Sequence, residues 1–376
     1  MTALIVLLFS IYFLFVVVML IGLNRSARQC SLTPLRYEPF VSVVIAARNE
    51  GSRIGLMMKD ILDQSYRHFE LIIVDDHSMD NTAEVVSQFT QGNPTITLLT
   101  NHNQGKKEAL TLGIQRAKGT IIVTTDADCR IPITWLQAIL TFFDRSETQL
   151  VFGGVRIMAS SFFSSLQAHE FMSLIGTSAA SAAFGTPTMC NGANLAFRKK
   201  AFETVKGYTD NMLIPSGDDE FLMQKIALRY PDSVRFAWHP QAVVATLPAV
   251  NLSEFINQRI RWAGKWRHSL SATTKMLAVF IFSFHVAVLV LPVAIFAGYI
   301  SLSLGIFLGL SKVFFEAIFL RKISTFLSVR WRWSDFFILQ LLYSLYAVSI
   351  GLMSNFSTFH WKDRKLKSFT VSTLKK

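Results

Sequence analysis

The sequence predicts an α/β domain with a mostly parallel central sheet, flanked by transmembrane helices. Three observations predict it: β-branched runs alternate with helical patterns over residues 40–270, an uncharged apolar run occupies residues 1–24, and residues 276–359 are again mostly apolar. With 51% hydrophobic and only 16% charged residues, an intrinsically disordered chain is excluded. Three cysteines in 376 residues also exclude a disulfide scaffold.

The N-terminal run predicts a transmembrane helix over residues 1–24. At ~1.5 Å per residue it is long enough to cross a ~30 Å hydrocarbon core. A cleaved signal peptide would have a basic start and a shorter apolar region, so cleavage is not expected. Arg25, Arg28 and Arg36 follow, which places the next region in the cytosol and the N-terminus outside. We therefore expect a multi-pass protein of the cell (inner, cytoplasmic) membrane.

Residues 40–250 are expected to form a cytosolic catalytic domain. The predicted strands are 41–47, 71–74, 96–99 and 120–125, and the predicted helices run through 54–61, from about 80, and from about 105 to 118. Continuous apolar strands between helices are typical of a parallel sheet covered on both faces. Ligands bind outside the carboxyl ends of such strands, so the polar residues after each strand are the candidate site.

The fourth strand ends in the sequence TTDADC, with Asp126 and Asp128 two positions apart. Their carboxylates could share a divalent cation with a diphosphate, and hard oxygen ligands select Mg²⁺ or Mn²⁺. Two solvated carboxylates that cap the helix near Ile133 are the alternative from these residues alone. We assign Cys129 a packing role only.

Other strand ends carry complementary polar groups. Glu50 follows the first strand, and Asp75 and Asp76 follow the second, where a carboxylate could accept hydrogen bonds from a base or ribose. Lys106 opens the next helix, where a lysine and a helix N-terminus suit phosphate oxygens. Helix capping by Asp80 and a solvated surface lysine are the alternatives.

Seven segments resemble, in order and spacing, the membrane-bound family 2 glycosyltransferases: VSVVIAARNE, VDDHSMDNT, GKKEAL, TTDADC, CNGANLAFR, GDDEFL and QRIRW. That family includes cellulose, hyaluronan and poly-N-acetylglucosamine synthases, and the sequence is also similar to ceramide and carotenoid glycosyltransferases. The resemblance covers residues 40–265. It implies a GT-A type nucleotide-diphospho-sugar transferase domain.

The resemblance also implies roles for individual residues. Nucleotide-sugar binding is implied for Ala47, Glu50, Asp75, Asp76, Lys106 and Asp126. Metal binding is implied for Asp128, and catalysis for Asp218 and Asp219, with Asp219 as the general base. Contacts with the acceptor or the diphosphate are implied for Asn194, Gln258, Arg261 and Trp262.

Elementary chemistry agrees with these roles and leaves alternatives. A positioned carboxylate activates a sugar hydroxyl, and a guanidinium stabilises a leaving diphosphate. Asp218 and Asp219 could instead cap the helix that follows them, and Trp262 could anchor a basic interfacial helix. His77 replaces the glycine most common in the family, which leaves the conformation of that turn open.

Residues 251–272 are predicted to form an interfacial helix, 276–359 a transmembrane region and 360–376 a basic tail. Because basic residues flank these segments, we predict a hairpin at 276–320 and a re-entrant segment at 336–359, with three full crossings as the alternative. Lys312 and Glu316 lie on one helix face, as a neutralising pair near the interface or as part of an acceptor path. The apolar stretch 160–185 is either a helix at the membrane face or buried core.

The sequence therefore predicts a membrane-anchored, inverting glycosyltransferase with a nucleotide-diphosphate sugar donor, a UDP-sugar being favoured. The acceptor is a lipid-linked or glycan hydroxyl. Membrane lipids and envelope-assembly proteins are expected partners, and nucleic acid is not, because the basic residues cluster around the apolar segments. Nucleotidyl transfer is disfavoured, and a non-catalytic nucleotide-sugar-binding subunit of an envelope-polysaccharide complex is the alternative.

Overall fold

A computed structural model of the chain describes residues 1–30, 38–212, 214, 216–355, 359–361 and 364–366. The described α-helices are α1 (Thr2–Gln29), α2 (Ile54–Leu62), α3 (Thr82–Thr90), α4 (Lys106–Arg116), α5 (Trp135–Leu140), α6 (Phe162–Ala183), α7 (Lys199–Thr204), α8 (Asp218–Arg229), α9 (Leu252–Ala263), α10 (Ala272–Phe296), α11 (Leu302–Leu327) and α12 (Trp333–Met353). The described strands are β1 (Val41–Ala47), β2 (Phe69–Asp75), β3 (Ile96–Thr100), β4 (Ile121–Thr124), β5 (Leu150–Gly153), β6 (Val155–Ile157), β7 (Leu195–Arg198), β8 (Val234–Ala237), β9 (Val244–Thr246), β10 (Phe359–Trp361) and β11 (Arg364–Leu366). Arg36 and most of the predicted basic tail lie outside the described residues.

The chain divides into two compact units. The sheet unit comprises residues 25–158 and 181–247, and the helical unit comprises residues 1–24, 159–180 and 248–376. The predicted catalytic segment, 40–250, is therefore not continuous, because most of α6 belongs to the helical unit. The sequence leaves two alternatives for residues 160–185, a helix at the membrane face or buried core, and most side chains of α6 are buried within the protein.

The sheet unit contains a seven-stranded sheet in the order β3-β2-β1-β4-β7-β5-β8. Neighbours among β1 to β4 pair in parallel, whereas β7 is antiparallel to both β4 and β5. The four predicted strands and three predicted helices are all present, because their apolar runs fill both faces of the sheet.

The register of these strands brings distant segments to one edge. Ala47 pairs with Asp75, and Asp75 pairs with Thr100, so β1, β2 and β3 end together. Because β7 is antiparallel, its first residue Leu195 pairs with Thr124 at the end of β4. The turn before β7 therefore lies at the same edge as the residues that follow β4.

Among the described residues, four helices are long and apolar enough to cross a membrane: α1, α10, α11 and α12. The first extends to Gln29, beyond the predicted limit of 24. The re-entrant segment at 336–359 stays a prediction; over the described residues, α12 is one helix from Trp333 to Met353. Three crossing-length helices after residue 271 match the alternative that the sequence left open.

Lys312 and Glu316 form a buried polar cluster between three of these helices. Lys312 Nζ lies 3.0 Å from Glu316 Oε2 and 2.7 Å from Gln340 Oε1 on α12. Tyr12 on α1 donates to Glu316 Oε1 at 2.5 Å, and Gln340 donates to Glu316 Oε2 at 2.7 Å. The two charges form an ion pair in the middle of α11. Its contacts join α1, α11 and α12.

Candidate active site

The end of β2 forms one wall of the candidate site. Asp76 is 2% exposed, and its Oδ1 accepts hydrogen bonds from Asn101 Nδ2 at 2.8 Å and Gly105 N at 2.9 Å. Asp75 Oδ2 accepts from Ser78 N at 3.2 Å, while its buried Oδ1 has no partner within the described part of the chain. A buried acceptor without a donor is unfavourable, so Asp75 offers an unused hydrogen-bonding position.

The turns after β1 and β2 are locked to each other. Arg48 donates to the carbonyl oxygens of Asp76 at 2.8 Å and His77 at 2.9 Å. His77 adopts φ +58°, so it takes the left-handed conformation that a glycine would take, at a cost of about 1–2 kcal/mol. Glu50 is buried nearby, and its N–H donates to Thr82 Oγ1 at 2.8 Å.

Asp80 has the structural role that the sequence left open as its alternative, next to the start of α3. Its carboxylate accepts hydrogen bonds from Thr82 N at 3.0 Å and Gly51 N at 2.9 Å. The first contact satisfies an N–H group in the opening turn of α3, and the second fixes the loop after β1.

Lys106 lies at the centre of an acidic cluster. Its Nζ donates to Asp126 Oδ1 at 2.7 Å and lies 3.5 Å from Asp218 Oδ2. Burial opposes its charge, but the carboxylates of Asp126 and Asp218 outweigh burial and hold the pKa of Lys106 above its ordinary value. Lys106 is thus a cation throughout the neutral pH range, and the surface-lysine alternative does not describe it.

Asp219 is tied to the turn before β7. Its Oδ2 accepts from Gly192 N at 2.9 Å, and its Oδ1 accepts from Glu220 N at 2.7 Å. A Cβ built on Gly192 would lie 3.4 Å from Asp218 Oδ2 and 3.6 Å from Lys106 Nζ. The C-terminal end of β4 and the N-terminal ends of α4 and α8 therefore converge on the Gly192 turn.

Gly217 fixes where α8 begins and hence where Asp218 and Asp219 lie. It is the N-cap residue of α8 with φ +81° and ψ 24°, a left-handed conformation that costs other residues about 1–2 kcal/mol. Gly217 has no side chain to cap the helix, whereas Asp219 Oδ1 accepts from Glu220 N in the first turn, a capping contact of the kind that the sequence left open as the alternative.

We expect Gly217→Ala to destabilise the fold by about 1–2 kcal/mol and to reduce turnover at the candidate site, because the strained turn shifts both aspartates. The matched control is Gly92→Ala, at a glycine with φ +75° and open space around its Cβ position, in the loop after α3. Thermal unfolding and turnover would be measured for both variants. Equal loss of turnover in the two variants would show that Gly217 has no special role in the site.

Asn194 does not reach the site with its side chain, which corrects the predicted contact with acceptor or diphosphate. It is completely buried; its Nδ2 donates to the carbonyls of Gly154 and Ala242, and its Oδ1 accepts from Trp135 Nε1 at 3.0 Å. Both amide protons are used within the protein. Asn194 therefore stabilises the Gly192 turn from the protein interior.

Asp128 is half-buried after β4, with Oδ1 4.0 Å from Cys129 Sγ. Burial, with Asp126 and Asp128 adding to it, raises the pKa of the Cys129 thiol, which matches the packing role expected for it. Among the described residues, no group of three or more His, Cys, Asp or Glu side chains is arranged to hold a metal by itself. The metal role of Asp128 remains a prediction.

The QxxRW motif lies on α9 in the helical unit. Its most extensive contacts are made by Arg259, one of the two variable positions of the motif. Arg259 is 3% exposed, and its Nη2 lies 2.6 Å from Glu170 Oε2 on α6. Gln258 accepts a hydrogen bond from Arg259, and the ring of Trp262 lies 4.4 Å from the Arg259 guanidinium. Arg261 is partly exposed on the same helix.

Three buried residues that support the site were missed. Arg48 and Asn101 both follow strands, so the strand-end argument applied without exception would have found them. Lys107 donates to the carbonyls of Asn211, Ile214 and Ser216, and so holds the segment that leads into α8. No sequence signal distinguishes it from its neighbour Lys106.

Comparison with known proteins identifies this arrangement. Residues 42–206 match the family model described as "Glycosyl transferase family 2". The chain carries a family 2 glycosyltransferase domain. The predicted resemblance to family 2 glycosyltransferases is confirmed over this range, and the segments that carried it there include the ends of β1, β2 and β4.

Proteins similar to this chain include the poly-beta-1,6-N-acetyl-D-glucosamine synthases of Staphylococcus aureus (strain COL) and Staphylococcus epidermidis. Identity to the first is 30% over 226 residues, covering 59% of this chain and 53% of the relative. Identity to the second is 27% over 253 residues, covering 65% and 60%. The chain thus matches little more than half the length of these relatives.

A solved structure shares the fold: the mannosyltransferase PcManGT from Pyrobaculum calidifontis in complex with GDP-Man and Mn²⁺. It matches with a TM-score of 0.61 at 19% identity and covers 94% of this chain and 99% of that chain. The GT-A type fold, with a mostly parallel sheet and flanking apolar helices, is confirmed. Together with the relatives, the four apolar helices found among the described residues indicate a membrane protein.

Proposed function

We propose that the protein transfers a sugar from a nucleotide-diphosphate donor to a hydroxyl group of a lipid-linked or glycan acceptor, with inversion at the anomeric carbon. One observation carries the proposal: Lys106, Asp126, Asp218 and Asp219 converge on Gly192 at one edge of the sheet. A structural surface has no need for four charged groups packed around a glycine turn.

The end of β2 supplies the nucleoside side of the proposed donor site. Asp75 Oδ1 is the unused acceptor available to an N–H or O–H of a base or ribose. Asp76 links this wall to the phosphate side through Gly105 N, which precedes Lys106. The ammonium of Lys106 suits diphosphate oxygens, whose charge grows as the donor bond breaks. Ala47 ends β1 and Glu50 follows it, so both are proposed to line the same wall of the donor site.

Asp219 is the proposed general base. It removes the proton of the attacking hydroxyl while Gly192 N and Glu220 N hold its two oxygens in place. Such positioned proton transfer contributes about 10²–10⁴-fold to rate. Asp218 sets the local charge beside Lys106. On α9, Arg261 is proposed to assist the diphosphate, with Gln258 and Trp262 serving the acceptor.

The acidic residues fit a divalent cation, Mg²⁺ or Mn²⁺. Asp126 and Asp128 offer hard carboxylate oxygens, and four local carboxylates exceed the single charge of Lys106. Mg²⁺ is typically held by one or two carboxylates together with substrate phosphates, so a complete protein cage is not required. When bound, the cation would neutralise charge on the leaving diphosphate. The Mn²⁺ complex of the mannosyltransferase supports the proposal.

The donor and acceptor follow from chemistry and from the relatives. UDP-N-acetylglucosamine is the first donor to test because of the poly-N-acetylglucosamine synthases, and GDP-mannose is the second because of the mannosyltransferase. We place the sheet unit in the cytosol at the cytoplasmic membrane, since Arg25 and Arg28 follow the first apolar run.

The full chain, purified in detergent, should release nucleoside diphosphate from one donor in a screen of UDP- and GDP-sugars. We expect release to need Mg²⁺ or Mn²⁺ and to fall at least a hundredfold with EDTA, because the diphosphate then leaves without its counter-charge. Product size and extraction into organic solvent separate a glycan from a lipid acceptor. Donor binding without release by any donor, on membranes that supply acceptors, would favour the non-catalytic subunit.

A further inference from the structure

A pocket lined in part by two arginine residues lies in the sheet unit, away from the proposed donor site. It is lined by Gln29, Thr141, Phe142, Arg145 and Arg235 and encloses about 280 Å³, including its open mouth.

The sheet topology places this pocket opposite the proposed donor site. Arg235 is near the start of β8, which runs parallel to β5, and Arg145 precedes β5. Strand β5 is antiparallel to β7, which is antiparallel to β4, so β5 and β8 begin at the edge where β4 begins. The donor site lies where β4 ends.

The pocket has positive charge without ion-pair partners. Within the described ranges, neither Arg145 nor Arg235 forms an ion pair, and Arg235 donates only to its own neighbour, the carbonyl of Val234, at 3.2 Å. The Nε of Arg235 is buried with no hydrogen-bond partner in the described part of the chain. A buried N–H group without an acceptor is unfavourable, so an acceptor from outside the protein would stabilise it.

The electrostatic surroundings favour an anion. Burial and the nearby Arg145 lower the pKa of Arg235, while Glu147 and Asp232 act in the opposite direction from beyond ion-pair distance. Arg25 adds a third guanidinium, whose charge also lowers the pKa of Arg235. Guanidinium groups match phosphate oxygens with two parallel hydrogen bonds.

We propose that this pocket binds a phosphate group, and that its source is the headgroup of an anionic phospholipid. The position of Gln29 favours the lipid source: it is the last residue of α1, which carries no charge before Arg25. The final turn of a membrane-spanning helix lies at the level of the headgroups, where basic residues meet anionic lipids.

The test uses the full chain in detergent and follows its melting temperature during titration with short-chain phosphatidic acid, phosphatidylcholine of equal chain length, or inorganic phosphate. We expect saturable stabilisation by phosphatidic acid. We expect little by phosphatidylcholine, because the positively charged choline is repelled by the same guanidinium groups. Stabilisation by phosphatidic acid but not by inorganic phosphate assigns the source to lipid. An equal response to both keeps the phosphate site and overturns the lipid source.

Variants tie the response to the pocket. Arg145→Gln with Arg235→Gln should weaken phosphatidic acid binding at least tenfold, as should Arg145→Glu alone, which alters an exposed side chain and preserves the fold. Arg116→Gln with Lys118→Gln removes two exposed charges elsewhere in the sheet unit and should change nothing. No stabilisation of the wild type, or equal stabilisation of Arg145→Glu, overturns the proposal.

Discussion

Asp219→Asn should lower sugar transfer by about 10²–10⁴-fold, because an amide cannot take the proton from the attacking hydroxyl. Donor affinity should stay within about threefold of the wild type, since the variant keeps the shape of the side chain and the contacts of Lys106 with Asp126. The measurement combines initial rates of nucleoside diphosphate release with equilibrium binding of the donor in the same detergent.

Two comparison variants sharpen this result. Asp63→Asn changes an exposed aspartate at the end of α2 and should leave turnover unchanged. Asp218→Asn removes a carboxylate 3.5 Å from Lys106, so we expect it to change donor affinity more than Asp219→Asn does. Full turnover by Asp219→Asn would rule out the base assignment and leave the acidic cluster with a binding role only.

Breaking the ion pair between Glu170 and Arg259 should cost about 3–5 kcal/mol of stability, because either single change leaves a buried charge without its partner. The two side chains are 5% and 3% exposed, and Arg259 makes three contacts of 3.2 Å or less with the Glu170 carboxylate. Tyr346 on α12 donates to Glu170 Oε1 at 3.0 Å, so the pair joins α6, α9 and α12.

The double-mutant cycle is the measurement. Glu170→Met and Arg259→Met are each expected to lower the free energy of unfolding, whereas the double variant should recover most of the loss, since Phe255 and Trp262 already surround Arg259 with aromatic rings. Asp210→Asn is the control: it breaks an ion pair of 2.9 Å with Lys225 at an exposed site and should change stability little. Additive losses in the double variant would contradict a coupled pair.

The same cycle bears on function. The QxxRW positions share α9 with Arg259, and Gln258 and Trp262 contact that residue directly. If the buried pair holds α9 in place, the double variant regains stability but loses the contacts that orient Gln258 and Trp262. We therefore expect its acceptor-dependent rate to remain below that of the wild type.

The local sequence determined the elements of the sheet unit and where its chemistry lies. Apolar runs of four to seven residues can only be buried strands here, and in parallel strands the next polar residues must share an edge. That rule alone predicts that Asp76 and Asp126 lie at the same edge of the sheet. It would have added Arg48 and Asn101, since both follow strands in the same way.

The tertiary structure decided everything that depends on pairing between distant segments. Glu170 was visible as the one charge in an apolar stretch, but only the packing of α6 on α9 and α12 identifies Arg259 and Tyr346 as its partners. Asn194 fits a motif of the family, but its side chain is buried and stabilises the Gly192 turn instead of contacting a ligand. Sequence periodicity records which side of an element is apolar; it does not record which other element covers that side, because many partners would bury the same surface equally well.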